Sequence, residues 1–307
     1  MTKKELPMAE QHGKELTLSI MEFIDSAPNI NRACSSLLEN SSSIFLPLKR
    51  IDNSDVAKRF FKNNQVLEIE HNLFGKLEVR ARLLGQVHKD ILEVLLTGEK
   101  RFNKNDRRFS VEMSAYQILK RLSVTTSNKK WLSEKINEIA ECRIRVFSDD
   151  DEVDQDFSFG FIDTVSGLSV KSKDGKTRHG DEKTIKVVFS EAYTAFLART
   201  EILDYSNYID DIVSLDNTFV KAVVRYMLIN NGRDSKIKIS NLIKKLQTDK
   251  IMSHIELERN IKLLKSTETQ ELLKERFGIT IVGEETLVFN ELESKNHYYI
   301  KSNSLSE

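Results

Sequence analysis

Proline, glycine and cysteine are scarce in this chain of 307 residues, with three, eleven and two copies respectively. So little proline and glycine excludes a collagen-like or linker-like polymer and points to a helix-rich chain with few long loops. Cys34 and Cys142 stand far apart in sequence and do not make a disulfide framework, so the cytosol is the simplest compartment. No apolar run approaches the ~20 residues that a membrane span needs. The polar stretch after Met1-Thr2-Lys3-Lys4-Glu5 lacks the apolar centre of a secretory signal. A membrane protein and a secreted disulfide scaffold are thereby excluded, and a cytoplasmic protein is expected.

Net charge is missing as well, since 47 Lys and Arg balance 47 Asp and Glu. A zero total argues at first against a nucleic-acid partner. The balance hides segregation, however. Residues 100–145 hold twelve basic residues against five acidic ones, and Asp149 to Asp163 then hold seven acids and no base. Residues 233–250 hold six bases against two acids. A phosphate backbone responds to the local field rather than to the chain total.

What is present is ordinary globular material: 39% hydrophobic and 31% charged residues, enough for two cores in a chain of this length. Leu16, Ile20, Met21 and Ile24 mark a short amphipathic helix, and Ser41-Ser42-Ser43 reads as a linker or helix boundary. Period-two alternation predicts strands at 66–70 and 76–80. From 83 a helix ends near Gly98, and a basic loop leads to a strand at 109–113. Ser114 caps a helix at 115–122, and a longer helix at 128–142 turns Leu132, Ile136, Ile139 and Ala140 inward. Strands at 143–147 and 157–162 flank the acidic run, and a third lies at 184–189.

The same order recurs. A helix at 216–231 ends at Asn231-Gly232, a strand covers 237–239, and Ser240 caps a helix at 241–246. A turn at 247–252 precedes a long helix from Ser253, where Ser253-His254-Ile255-Glu256 has capping-box spacing. A hairpin at 278–282 and 286–289 closes the run. Helix, strand, helix, turn, helix, hairpin is the order of a winged helix, and it occurs twice. The expected fold is therefore α+β, helix-rich, with tandem winged-helix domains at 44–200 and 201–290. An N-terminal segment, 1–43, and a tail, 291–307, flank them.

A helix in the major groove presents the face opposite its core, N-terminal residues nearest the base edges. In the first module that face holds Ser127, Lys130, Trp131 and Glu134, flanked by Asn128, Lys129 and Lys135; Trp131 sits at the edge of the core. In the second it holds Met252, Ile255, Glu256, Arg259 and Lys262, with Lys250 and Ser253 at its start. Arg259 is the best base reader because its fork is bidentate. Glu256 is claimed equally by a base contact and by the capping box. The DNA-binding candidates are thus Ser127, Asn128, Lys129, Lys130, Glu134, Lys135, Lys250, Ser253, Glu256, Arg259 and Lys262. To these the turn at 171–178 adds Lys176 and Arg178 as backbone contacts of a wing.

Other chemistry is not indicated. Gly175-Lys176-Thr177 lacks the earlier glycine of a phosphate loop, since position 170 is Val170. The acidic run lacks calcium-loop spacing, and His12, His71, His88, His179, His254 and His297 show no metal spacing. No catalytic residue, metal or cofactor is expected, and the chain reads as a non-enzyme.

The tandem order resembles the plasmid replication initiators of the two-winged-helix Rep and TrfA type, which bind repeated origin sites (iterons). The stretches that carry the resemblance are SSIFLPLKRIDNSDVAKRFF (42–61), LLGQVHKDILEVLL (83–96), FSVEMSAYQILKRLSVTTSNKKWLSEKINEIAECRI (109–144) and SLDNTFVKAVVRYML (214–228). The resemblance covers most of 44–289 and rests on element order and patterned similarity; residues 1–40 and the acidic loop are outside it. It implies binding to double-stranded origin repeats, opening of adjacent DNA, and recruitment of a host replication initiator and helicase. It also implies a monomer–dimer switch with a homodimer as one state. A DNA-binding transcriptional repressor shares every expected DNA contact. A winged-helix protein-interaction scaffold fits the zero net charge.

Overall fold

The computed structural model describes residues 30–71, 75–103, 105–147, 157–167, 184–199, 202–229, 236–290, 292 and 298–300. It opens with strand β1 (Ser35–Ser36), helix α1 (Leu37–Ser41) and strand β2 (Phe45–Leu46). Ile30, Ala33, Leu37 and Leu38 already belong to the core, so the packed part begins well before residue 44. The Ser41-Ser42-Ser43 stretch is the end of α1 rather than a linker. The Ser41 and Ser42 hydroxyls donate to the carbonyls of Leu37 and Leu38 at 2.6 Å, and Ser43 donates to the Leu246 carbonyl.

Helix α2 (Asp55–Lys62) starts at the Ser54 cap, and the two expected strands, β3 (Val66–His71) and β4 (Gly75–Arg80), pair as an antiparallel hairpin. Strand β5 (Leu84–Gly85) pairs in parallel with β2 and leads into helix α3 (Gln86–Leu96). The basic stretch after α3 is not all loop, because β6 (Lys100–Asn103) pairs with β7 (Arg108–Ser114). Ser114 and Gln117 then close a capping box on α4 (Ala115–Arg121). Helix α5 (Lys129–Glu141) follows, with Leu132, Ile136 and Ile139 fully buried.

The strands after α5 separate into two sheets. Strand β8 (Arg143–Val146) and β9 (Phe157–Phe159) extend the early hairpin into a sheet of order β3-β4-β8-β9. The strand expected at 157–162 stops at Phe159, and β10 (Ile162–Ser166) begins a second sheet with β11 (Thr184–Phe189). Gly160 lies at the break, where a Cβ would stand 2.1 Å from the Arg143 guanidinium, a contact that a shift of this flexible side chain would relieve. Helix α6 (Glu191–Arg199), strand β12 (Ile202–Asp204) and helix α7 (Ile209–Ser214) lead to the second half.

There, helix α8 (Thr218–Ile229), strand β13 (Lys236–Lys238) and helix α9 (Ile239–Lys245) follow in the expected order. The cap position of α9 is Lys238 rather than Ser240, which lies inside the helix. The turn at 247–252 contains a one-turn helix, α10 (Thr248–Ile251). The expected long helix is two, α11 (His254–Leu264) and α12 (Thr267–Phe277), because Ser266 caps a new start by accepting from the Thr269 amide at 3.3 Å. Strands β14 (Ile279–Val282) and β15 (Thr286–Phe289) form the final hairpin. Part of the C-terminal tail is structured: β16 (Tyr298–Ile300) pairs with β12, which also pairs with β1.

Strand order settles the fold class as α+β with two winged helices. In the second unit the order is β13-β15-β14, and in the first β7-β11-β10 repeats it, with β6 added at the edge. Each time, the strand before the second helix pairs with the returning strand of the wing. One continuous hydrophobic cluster runs through both units. Among the described residues no helix is long and apolar enough to cross a membrane.

Candidate nucleic-acid interface

In the first unit the turn before α5 and its first residues stand out together. Ser127, Asn128, Lys129, Lys130 and Glu134 are all exposed, as expected of a groove-facing surface. Asn128 makes no side-chain cap on α5, whose first turn holds two lysines and no acid. Cations at a helix N-terminus oppose the macrodipole, a local cost that an anion placed there would offset. Lys130 lies 3.8 Å from Glu134, an exposed pair too open to contribute much. Trp131 packs on the core instead of pointing outward.

Lys135 does not join this surface. It turns to Glu138 at 2.9 Å, and Glu138 also meets His88 Nε2 at 2.6 Å. The Gly85 amide donates to His88 Nδ1 at 2.9 Å, so Nε2 carries the proton and the imidazole is neutral. Burial pushes the His88 pKa down, in agreement with that assignment. Burial alone would raise the Glu138 pKa, but the hydrogen bonds from His88 and Lys135 outweigh it and hold it at about 2. This triad ties α5 to α3 and leaves Lys135 structural.

In the second unit Arg259 and Lys262 are exposed on α11, as expected, while Met252 is buried and lies inside the core. Ser253 caps α11 by accepting from the Glu256 amide at 3.3 Å, and Glu256 is half-buried in the first turn. Both residues are explained by starting the helix. Lys250 is engaged elsewhere: its Nζ meets Glu70 of β3 at 2.7 Å, and its carbonyl accepts from Arg59 of α2. The Lys250 and Glu70 side chains are both exposed, so this is a surface contact across the seam between the units. Lys176 and Arg178 lie outside the described residues, as do the acidic run, Asn231-Gly232 and the amphipathic segment near the N-terminus. The second wing turn, Gly283-Glu284-Glu285, carries no base.

Much of the segregated positive charge is neutralised internally. Arg101 pairs with Glu112, Arg108 with Asp163 and Arg121 with Asp210. The field offered to a phosphate backbone therefore comes from fewer groups than the sequence suggests, chiefly Lys129, Lys130, Arg259 and Lys262 among the described candidates.

What joins the two units is a buried ionic network between α3 and α8. Arg225, 2% exposed, donates from Nε to Glu93 at 3.0 Å, from Nη2 to Glu93 at 2.7 Å and Asp90 at 2.6 Å, and from Nη1 to Gln86 at 2.6 Å. Lys221 completes Asp90. On the other flank Lys89 meets Glu39 and, at 3.6 Å, Glu93. Tyr193 donates to Glu39 at 2.8 Å, and Tyr205 donates to Glu93. Three cations face three carboxylates. Burial works against the Arg225 charge, but Glu93 and Asp90 together hold its pKa above the ordinary value. These residues escaped the sequence reading, although Gln86, Lys89, Asp90 and Glu93 form a polar stripe at helical spacing beside Lys221 and Arg225 one turn apart. Such a stripe is usually a solvated face; here the second unit covers it.

No protein-family model and no curated protein matches this chain. Among solved structures it is similar to two crystal structures of domains 2 and 3 of RctB. One is 13% identical with a TM-score of 0.46, covering 76% of this chain and 88% of that one. The other is 14% identical with a TM-score of 0.44, covering 75% and 87%. A likeness this distant carries no functional weight. The winged-helix assignment rests on strand order within the chain itself.

Proposed function

We propose that this protein is a sequence-specific double-stranded DNA-binding replication initiator. In this reading it binds repeated origin sites through two winged helices, helps open the adjacent DNA and recruits host replication proteins. The observation that carries DNA binding is the pairing of two exposed helix faces, Ser127 to Glu134 on one unit and Arg259 with Lys262 on the other, on one locked scaffold. Lysine and arginine donate to guanine O6 and N7, glutamate accepts from cytosine N4, and serine and asparagine serve phosphates or bases. The initiator role rests on the resemblance of the tandem order to the plasmid initiators. No catalytic group, metal or cofactor enters this function.

The direct test is salt. Binding of purified protein to duplexes selected from a plasmid library should fall with a log–log slope of roughly −4 to −8. A flat response would end the DNA reading and leave a protein-interaction scaffold. Sequencing the selected duplexes separates the initiator from a repressor: direct repeats beside an AT-rich segment support the former, an inverted repeat over a promoter the latter.

Arg259→Ala should cost about 1–3 kcal/mol on the selected site and relax preference at one base position. Discrimination left intact in that variant would move the reading face of α11 elsewhere.

A further inference from the structure

Ile255 is 70% exposed, more than any other large hydrophobic side chain among the described residues. Single exposed apolar residues are common and need no explanation; the place of this one is unusual. With Ser253 as cap, Ile255 is the second residue of α11, in the part of a recognition helix that comes nearest the base edges. Arg259 and Lys262 follow at spacings of four and seven, so the three share one outward face, and all are exposed. The opposite side is committed: Leu264 is buried, and Asn260 accepts from Asn217 at 2.9 Å. The exposed pair His254 and Glu258, 3.6 Å apart, flanks Ile255 with polar groups. With Leu263 exposed only two turns further along α11, an apolar side chain ahead of two cations suits a polyanion that carries apolar points.

Duplex DNA has one such point in its major groove, the C5 methyl group of thymine. We propose that Ile255 is a specificity-determining residue that reads a thymine methyl, and that Arg259, one helical turn further on, reads a guanine close to it. Four residues of helix advance about 6 Å, which spans about two base pairs. The first recognition helix begins with Ser127, Asn128, Lys129 and Lys130 and exposes no large apolar group there. The methyl contact of Ile255 therefore belongs to the half of the site held by the second unit.

This inference rests on the DNA-binding reading, and its test keeps the two apart. The full chain selects duplexes from a randomised pool, and each thymine of the selected site is then replaced singly by deoxyuridine. That exchange removes the methyl group and keeps base pairing. At one position, in the half protected by the second unit, wild-type affinity should fall about fourfold, the worth of one buried methyl group. Ile255→Ala should bind the thymine duplex at least about fourfold more weakly and be indifferent to deoxyuridine at that position, whereas Arg259→Ala should keep the sensitivity. The proposal is overturned if no replacement weakens the wild type, or if Ile255→Ala loses as much as the wild type at the same position. Failure to select any duplex would instead overturn DNA binding itself. The deoxyuridine series uses unaltered protein, so it stands whatever the variants do to folding.

Discussion

Arg225→Met is expected to destabilise the protein by about 3–5 kcal/mol, measured as the free energy of urea unfolding. The guanidinium neutralises Glu93 and Asp90 in a site from which water is excluded, and its removal strands two carboxylates with too few cations. The cost comes from the stranded charges more than from the lost bonds. Adding Glu93→Gln to Arg225→Met should therefore recover part of the loss, a coupling expected of residues in one network. A loss below about 1 kcal/mol would mean that water reaches the network and that the units are held by apolar packing alone. The network also sets a pH dependence. Burial opposes ionisation of Glu93, but Arg225 and Lys89 more than offset it and hold its pKa below the ordinary 4.5. Its folded-state pKa is depressed, so the stabilisation is present above that ordinary value and is lost as pH falls through the folded value.

Inserting about five base pairs between the two halves of the selected site should weaken binding by roughly 10²–10⁴, the advantage that linked modules gain from effective concentration. Half a helical turn carries the second half-site to the far side of the duplex. Two modules on a flexible tether could follow it; these cannot, because α3 and α8 are joined by buried charges. Gel-shift titration of the original and expanded sites measures the effect. Unchanged affinity would mean that one unit binds DNA while the other serves another purpose.

The helices of both winged-helix units were legible because their signals are local. Leu132, Ile136 and Ile139 repeat at helical spacing and all are buried. Ser114 caps where it was expected to, and the alternation at 279–282 and 286–289 is a hairpin. The exposed candidates on α5 and on α11 follow directly from knowing the inner face of each helix. Met252 was placed on the outer face because its burial depends on the core under α11; Lys135 pairs with Glu138 three residues on, a contact its own helix supplies, whereas Lys250 meets Glu70, far away in sequence. The break between α11 and α12 had its signal in Ser266 and in the wholly polar stretch from Lys265 to Glu271, where the apolar period lapses.

By itself the sequence determined the repeated helix, strand, helix, turn, helix, hairpin order and the inner face of α5, since periodicity and capping are written within a few residues. Only the tertiary structure decided which strands share a sheet. Strand β8 follows α5 directly, yet it pairs with β4, more than sixty positions earlier, and the wing of the first unit is β10 with β11. Hydrogen bonds between strands are indifferent to side-chain identity, so alternation announces a strand without naming its partner. The same holds for Lys89, Asp90, Glu93, Lys221 and Arg225. Their spacing is that of a solvated face, and only the docking of α8 on α3 excludes the water and turns scattered charges into the clasp between the two units.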